Sequence, residues 1–182
     1  MSSGMSPSRS VSASARDSAN KPSSPLSLRR LHPYQREIAL AILDSVFGRK
    51  GLTFSVEIAR QGGKNELSAQ LELLLLTLYM AEAQNLIKCS PTFKPQTVIS
   101  MTRLKDRLND AGFGGIWKSE LGYVIRLGNA RAIFLSADES ANVVGNTAHL
   151  LLEIDESQDV SKEKYTKLYS AYVMLYMHEG RR

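Results

Sequence analysis

The stretch EIARQGGKNE, Glu57 to Glu66, decides how the rest of the chain is read. It has the outline of a phosphate-binding loop, G-x-x-x-x-G-K-[ST], in which glycines admit a polyanion to the backbone and a hydroxyl serves a magnesium ion. Gly63 and Lys64 fit, but Ile58 stands where the first glycine belongs and Asn65 where the hydroxyl belongs. The preceding GLTFSVEIA (51–59) is rich in β-branched and aromatic residues and predicts a strand. The residues from Glu66 to about Ala83 predict a long helix. At such a junction the N–H groups of Gly62, Gly63, Lys64 and Asn65 can face an anion, aided by the positive end of the helix dipole. Lys64 adds a point charge for the phosphates. Taken alone, the loop serves equally well as a solvated basic turn before a helix.

A second stretch shifts that balance. HLLLEIDE (149–156) is a continuous apolar run ending in two acids, and such runs suit a strand buried on both faces of a parallel sheet. Asp155 and Glu156 then sit at the strand's C-terminal end, where the loops of an α/β sheet gather. Nucleotide hydrolysis needs one acid to hold magnesium and another group to activate water. Either stretch alone is weak; a Gly-Gly-Lys loop followed by an Asp-Glu strand is a coherent pair.

The remainder supplies the setting. Residues 1–27 are dominated by serine and carry almost no large apolar side chains, so they predict a disordered tail; residues 28–182 form one domain. Ile38, Ile42, Leu43, Val46 and Phe47 recur at helical spacing, with Gly48 as a stop. NLIKCS predicts a strand. PQTVISMTRLKDRLN predicts a helix with Ile99, Met101, Leu104 and Leu108 as its apolar stripe and Arg103, Lys105 and Arg107 on its solvated face. GYVIRLG and ARAIFLSA predict a hairpin turning at Gly128-Asn129. SKEKYTKLYSAYVMLYM predicts a final helix capped by Ser161. Alternating strands and helices predict an α/β sandwich with a mainly parallel central sheet.

Composition excludes several classes. Cys89 is the only cysteine, so neither an internal disulfide nor a thiol metal site can be built. The most apolar run, Leu71 to Met80, is interrupted by Glu72 and too short for a membrane span. His32, His149 and His178 show no metal-ligand spacing. A net charge of +5 is compatible with a polyanionic partner but does not require one.

From about Leu31 to Lys167 the sequence resembles the large terminase subunits of tailed bacteriophages, the ATPases that drive DNA into the procapsid. The residues that carry the resemblance are LHPYQREI, ARQGGKNE, SPTFKPQTVISMTRL, LSADESANVVGNTAHLLLEIDESQDV and the following KEKY. In that family the loop is typically written with Arg-Gln before x-Gly-Lys, the early glycine is often missing, and Asn after the lysine occurs. The resemblance implies a three-layer P-loop NTPase sandwich that uses ATP and Mg2+. By position it makes Gln35 the reader of adenine, Arg60 the sensor of the γ-phosphate and Lys64 the phosphate lysine. Gln61, Gly62, Gly63 and Asn65 complete the nucleotide-binding loop. Asp155, with Asn65, faces the metal, and Glu156 is the general base. The segment SADESANVVGNTA matches as well, without a chemical role for Asp138 or Glu139.

It further implies double-stranded DNA, a portal protein and a small terminase subunit as partners, a homo-oligomeric ring, no membrane, and a place in the cytoplasm of the bacterial host. Full-length members carry a coupling motif and a C-terminal nuclease domain after the Asp-Glu strand. This sequence ends soon after DESQDV and departs from the pattern beyond Lys167, so a truncated motor domain, weak or inactive alone, is the expectation. A helicase-like DNA-dependent ATPase, or a folded remnant that binds nucleotide without turnover, are the alternatives the residues leave open.

Overall fold

A computed structural model of the chain describes residues 31–59, 61–137 and 146–168. The serine-rich tail, Arg60, Asp138, Glu139, Gly145 and His178 lie outside the described residues, as do the positions after 168 over which the sequence predicts the final helix to run. In chain order the elements are α1 (Pro33–Phe47), α2 (Lys64–Leu78), β1 (Asn85–Ser90), α3 (Val98–Leu108), β2 (Lys118–Glu120), β3 (Val124–Leu127), β4 (Ala130–Ser136) and β5 (Leu151–Ile154). A further helical stretch covers 162–168, and the Ser161 hydroxyl accepts from the Lys164 N–H at 3.4 Å, in keeping with the expected cap.

The fold is mixed α/β, with one five-stranded sheet in the order β2-β3-β4-β1-β5. β1 lies parallel to both β4 and β5, whereas β2–β3 and β3–β4 are antiparallel. The sheet is therefore parallel at one end and antiparallel at the other, rather than mainly parallel. The reason is local: β3 and β4 are joined by the two-residue Gly128-Asn129 turn, and so short a connection can only join antiparallel strands.

One face of the sheet carries the larger core. Leu86, Ile125, Ala132 and Phe134 meet Leu43 of α1, Leu71, Leu75 and Leu76 of α2, and Met101, Leu104 and Leu108 of α3. The opposite face gathers Ile87, Cys89, Ile133 and Leu135, with Leu168 from the 162–168 helix. α2 is buried continuously from Leu67 to Leu73, as a central helix must be, and β1 is buried from Leu86 through Ser90. In α3 the buried stripe passes through Met101, Leu104 and Leu108, continuing back to the N-cap Thr97, while Ile99 is turned outward.

Two expectations fail for one physical reason. Residues 51–59 form no strand: they run irregularly and largely exposed, with Leu52 and Phe54 open to solvent. β5 is half-buried and lies at the end of the sheet, not in its middle. A strand is a cooperative object whose N–H and C=O groups need a neighbour. Among the described residues β5 pairs only with β1, and no strand lies beside 51–59, so strand-forming side chains alone do not make a strand there.

The hairpin turn also anchors the sheet to the end of α2. Asn129 donates its N–H to the Met80 carbonyl at 2.8 Å and its side-chain amide to the Ala81 carbonyl at 3.1 Å. Gly128 has φ of +61°, and a Cβ there would collide with the Met80 carbonyl oxygen. Gly128→Ala is therefore expected to destabilise the fold by about 1–3 kcal/mol through combined strain and displacement, read as a lower urea midpoint with an unchanged slope.

Candidate functional site

The loop takes its shape from residues that leave it little choice. Gln61 has φ of +63° and Gly63 φ of +76°, the latter serving as the N-cap of α2. A Cβ on Gly62 would come within 2.5 Å of the Ile58 side chain, and one on Gly63 within 2.5 Å of the Gln35 amide. The Gly63 carbonyl accepts from the N–H groups of Glu66 and Leu67 at 3.1 and 3.0 Å and starts the helix. The N–H groups of Lys64 and Asn65 fall in the first helical turn, where no intrahelical acceptor exists, and are available to an anion. Ile58, at the place of the missing first glycine, packs against the core.

Gln35 is not on the surface. It is 2% exposed, and both ends of its amide are committed. Its Oε1 accepts from the His32 N–H at 2.8 Å. Its Nε2 donates to the carbonyls of Gly62 at 3.0 Å and Gly63 at 3.1 Å. The Tyr34 hydroxyl donates to the same Gly62 carbonyl at 2.6 Å. Gln35 thus braces the loop from α1; to read adenine it would have to exchange these bonds. His32 and Tyr34 stack with ring centroids 5.7 Å apart beside it.

Lys64 and the two acids converge. The Lys64 ammonium lies 2.7 Å from Asp155 Oδ1 and 2.6 Å from Glu156 Oε1, across 92 residues of sequence in the second case. Burial opposes its charge, but hydrogen bonds to Asp155 and Glu156 outweigh that and hold the Lys64 pKa above its ordinary value. Asp155 is reached from the sheet: its N–H donates to the Cys89 carbonyl at 2.8 Å, which continues the β5–β1 ladder past Ile154. Its side chain is 9% exposed and accepts from the Glu156 N–H at 3.0 Å. Glu156 stands in the left-handed region at φ 47° and ψ 48°. A non-glycine residue held there is a strained conformation of the kind that gathers at functional sites.

The structure thus brings together Lys64, Asp155 and Glu156, with Gly62, Gly63 and Asn65 on the adjoining loop and first turn, and it places Gln35 behind them. Arg60 lies outside the described residues. Sequence reasoning missed Gln158, whose amide donates to Glu156 Oε2 at 2.6 Å and sets the second oxygen of that carboxylate. Its place two residues after Glu156 was the available signal. Sequence reasoning also left Arg103, Lys105 and Arg107 as a solvated face. Arg103 and Arg107 instead approach Glu66, at 3.5 and 3.8 Å, and Arg107 pairs with Asp110 at 3.1 Å. Lys105 lies over the Trp117 ring at 5.8 Å. Arg103 and Arg107 thereby tie α3 to the first turn of α2.

Cys89 is buried on the face of the sheet away from α2, and burial pushes its thiol up to about 11, so it is an inert packing group. His149 accepts from the Asn85 N–H at 3.2 Å, a structural contact. Among the described residues no cluster of three or more His, Cys, Asp or Glu could hold a metal ion, and no helix is long and apolar enough to cross a membrane. Comparison with models of known protein families finds no match, and comparisons with curated proteins and with solved structures find none.

Removing the brace should loosen the loop. Gln35→Ala leaves two loop carbonyls without their amide donor, at an expected cost of about 1–3 kcal/mol. Amide hydrogen exchange of the loop and the first turn of α2 is expected to accelerate, while exchange in β1 changes only by the global stability loss.

Proposed function

We propose that this chain is the ATPase part of a tailed-phage DNA-packaging motor, with a P-loop nucleotide site formed by the Gln61–Asn65 loop, Lys64, Asp155 and Glu156. The observation that carries the reading is the meeting of Lys64 with both acids at the point where the loop opens α2. A lysine at a helix N-terminus, preceded by two glycines and facing adjacent carboxylates at the end of a parallel strand, is the donor set that phosphoryl transfer from a nucleotide requires.

The roles follow from the groups present. Backbone N–H groups of Lys64 and Asn65, with the α2 dipole, bind phosphate oxygens. Lys64 exchanges its carboxylate partners for the phosphates, a transfer between anions that keeps its charge compensated throughout. Mg2+ fits the donor set, because it is commonly held by one or two carboxylates together with substrate phosphates and waters. Asp155 would hold it, with the Asn65 carbonyl on the facing side, and the ion would neutralise charge on the phosphates. Released from Lys64, the Glu156 carboxylate can take the proton of an attacking water, with Gln158 setting its orientation. Arg60, by its place in the loop, is assigned to the γ-phosphate.

The wider reading rests on the sequence resemblance. It names double-stranded DNA as the translocated substrate, the portal protein and the small terminase subunit as partners, a ring of identical subunits as the working assembly, and the cytoplasm of the infected bacterium as the place. The hydrolysis–translocation coupling belongs to that assembly.

Binding of a fluorescent ATP analogue with Mg2+ tests the site directly. Lys64→Ala is expected to weaken binding at least tenfold. Glu156→Gln is expected to retain binding while lowering hydrolysis by roughly 10²–10⁴-fold wherever turnover is measurable. Equal nucleotide affinity in wild type and folded Lys64→Ala would sink the reading.

A further inference from the structure

Behind the Lys64 cluster lies a second group of charges that the proposed chemistry does not use. Lys88 sits in the middle of β1 with its side chain 3% exposed, and Glu72 projects from α2 with its side chain 1% exposed. Glu153 of β5, opposite Lys88 in the strand register, is one quarter exposed. The Lys88 ammonium is 2.9 Å from Glu153 Oε1 and 3.3 Å from Glu72 Oε1. The Ser68 hydroxyl joins all three: Lys88 donates to it, and it lies 2.5 Å from Glu153 Oε1 and 3.1 Å from Glu72 Oε1.

The hydrogens in this cluster can be counted. Ser68 has one proton to donate and two lone pairs to accept with. Lys88 uses one lone pair. The short contact to Glu153 takes the hydroxyl proton. The remaining contact, to Glu72, is then a hydrogen bond only if Glu72 brings its own proton. Glu72 Oε2 meets no hydrogen-bond partner and is fully buried. An unpartnered neutral carbonyl oxygen is tolerable there, whereas an unpartnered carboxylate oxygen is far more costly.

We propose that Lys88 is a positioning residue, shared between the Glu153 carboxylate and a protonated Glu72, which clamps the helix behind the loop to the acidic strand and so places Asp155 and Glu156 against Lys64. The proposal rests on the nucleotide-site reading only for what the clamp serves; the clamp itself is read without nucleotide. Lys64, Ser68 and Glu72 recur every four residues along α2, and Glu153 and Asp155 every two along β5 and the residue that continues its ladder. Four helical residues advance about 6 Å and two strand residues about 6.6 Å, so the two rows stay in step. Lys64 meets Asp155 and Ser68 meets Glu153, and the seam ends in Glu72 on Lys88.

The charge balance agrees. Burial pushes the Glu72 carboxyl up to about 7 from 4.5, against the pull of Lys88, and Glu153 pushes the same way as burial. Burial disfavours the Lys88 charge, but Glu153 and Glu72, with Asp155 further off, hold its pKa above the ordinary range. The groups facing Glu72 are thus Lys88 from β1, Glu153 from β5 and Ser68 from its own helix. Glu72 contributes stability that is fully present below 4.5 and is lost as pH rises through about 7. Above that pH the buried Glu72 carboxylate and the partly exposed Glu153 carboxylate compete for one lysine and the clamp slackens.

The test uses the full chain as wild type, Glu72→Gln and Lys88→Met. Relative to Glu72→Gln, the urea-unfolding constant of wild type is expected to rise by up to ~10-fold per pH unit between about pH 5 and 7. Infrared spectra of wild type near pH 6 are expected to show a protonated-carboxyl band that Glu72→Gln lacks and that disappears well above neutrality. Position is read by acylation of Lys64, scored by mass spectrometry as a ratio to the exposed Lys118. That ratio should match in wild type and Glu72→Gln at low pH and become severalfold higher in wild type above pH ~7. In folded Lys88→Met it should be raised at every pH; if that variant does not fold, Glu72→Gln decides alone. Parallel stability profiles with no carboxyl band would overturn the protonated clamp. A Lys64 ratio indifferent to both substitutions would overturn the positioning role.

Discussion

The structure turns on the contact between one face of α2 and the end of β5. Everything assigned to the candidate site depends on two elements far apart in sequence being held at one axial offset. Apolar packing alone specifies such an offset loosely, since leucines can slide past one another at small cost. An ion pair and a hydrogen bond at 2.7 and 2.5 Å specify it tightly. The near-equality of four helical steps and two strand steps lets polar residues on both elements meet repeatedly. A slip of one residue on β5 would turn Glu153 and Asp155 to the other face of the sheet.

That precision has a cost. Lys88 and Glu72 occupy space that leucine or methionine would fill, and exchanging buried charge for apolar side chains is often neutral or stabilising by several kcal/mol. Ion pairing there is poor support for stability as such and better support for specifying one arrangement. The Lys64 group is more exposed and differs in kind. Its lysine and acids are partners of opposite charge whose pairing satisfies both in the absence of a ligand, and each is a group that a nucleotide with its metal could recruit. A site whose charges pair among themselves stays compact at rest, but a ligand must then compete with an existing ion pair.

Much of this was legible in the sequence, and the failures are instructive. The loop before α2, the acidic strand, the hairpin at Gly128-Asn129 and the positions of α1 and α3 were readable because each rests on local chemistry: backbone freedom, periodicity, capping. The apolar stripes were read too widely, since Phe47 of α1 and Ile99 of α3 are exposed. Residues 51–59 were misread because strand propensity measures suitability for a neighbour and not the presence of one. Gln35 was read as the adenine-reading group, and its second part, bracing the loop from a buried position, was not foreseen. That part depends on where Gly62 and Gly63 point their carbonyls, which no pattern within α1 encodes. The seam was invisible for a similar reason. Glu72 interrupts an apolar helix in the sequence and Lys88 lies within a strand; only the packing of α2 against β1 brings those two together, and only the register of β1 with β5 adds Glu153.

The same comparison explains why a lysine stands in a buried, interior strand of the sheet. β1 has neighbours on both sides and helices over one face, so a solvated side chain cannot be placed at Lys88. An aliphatic residue there would leave Glu153 with Ser68 alone as its partner within the seam, and Glu153 lies two residues before Asp155 on the same face of β5. Electrostatic repulsion between Glu153 and Asp155 would then act on the strand end that has to present Asp155 to the loop. The lysine cancels that repulsion from below while Lys64 cancels it from above. The acidic strand is thus held between two cations, one exposed enough to move and one buried enough to stay.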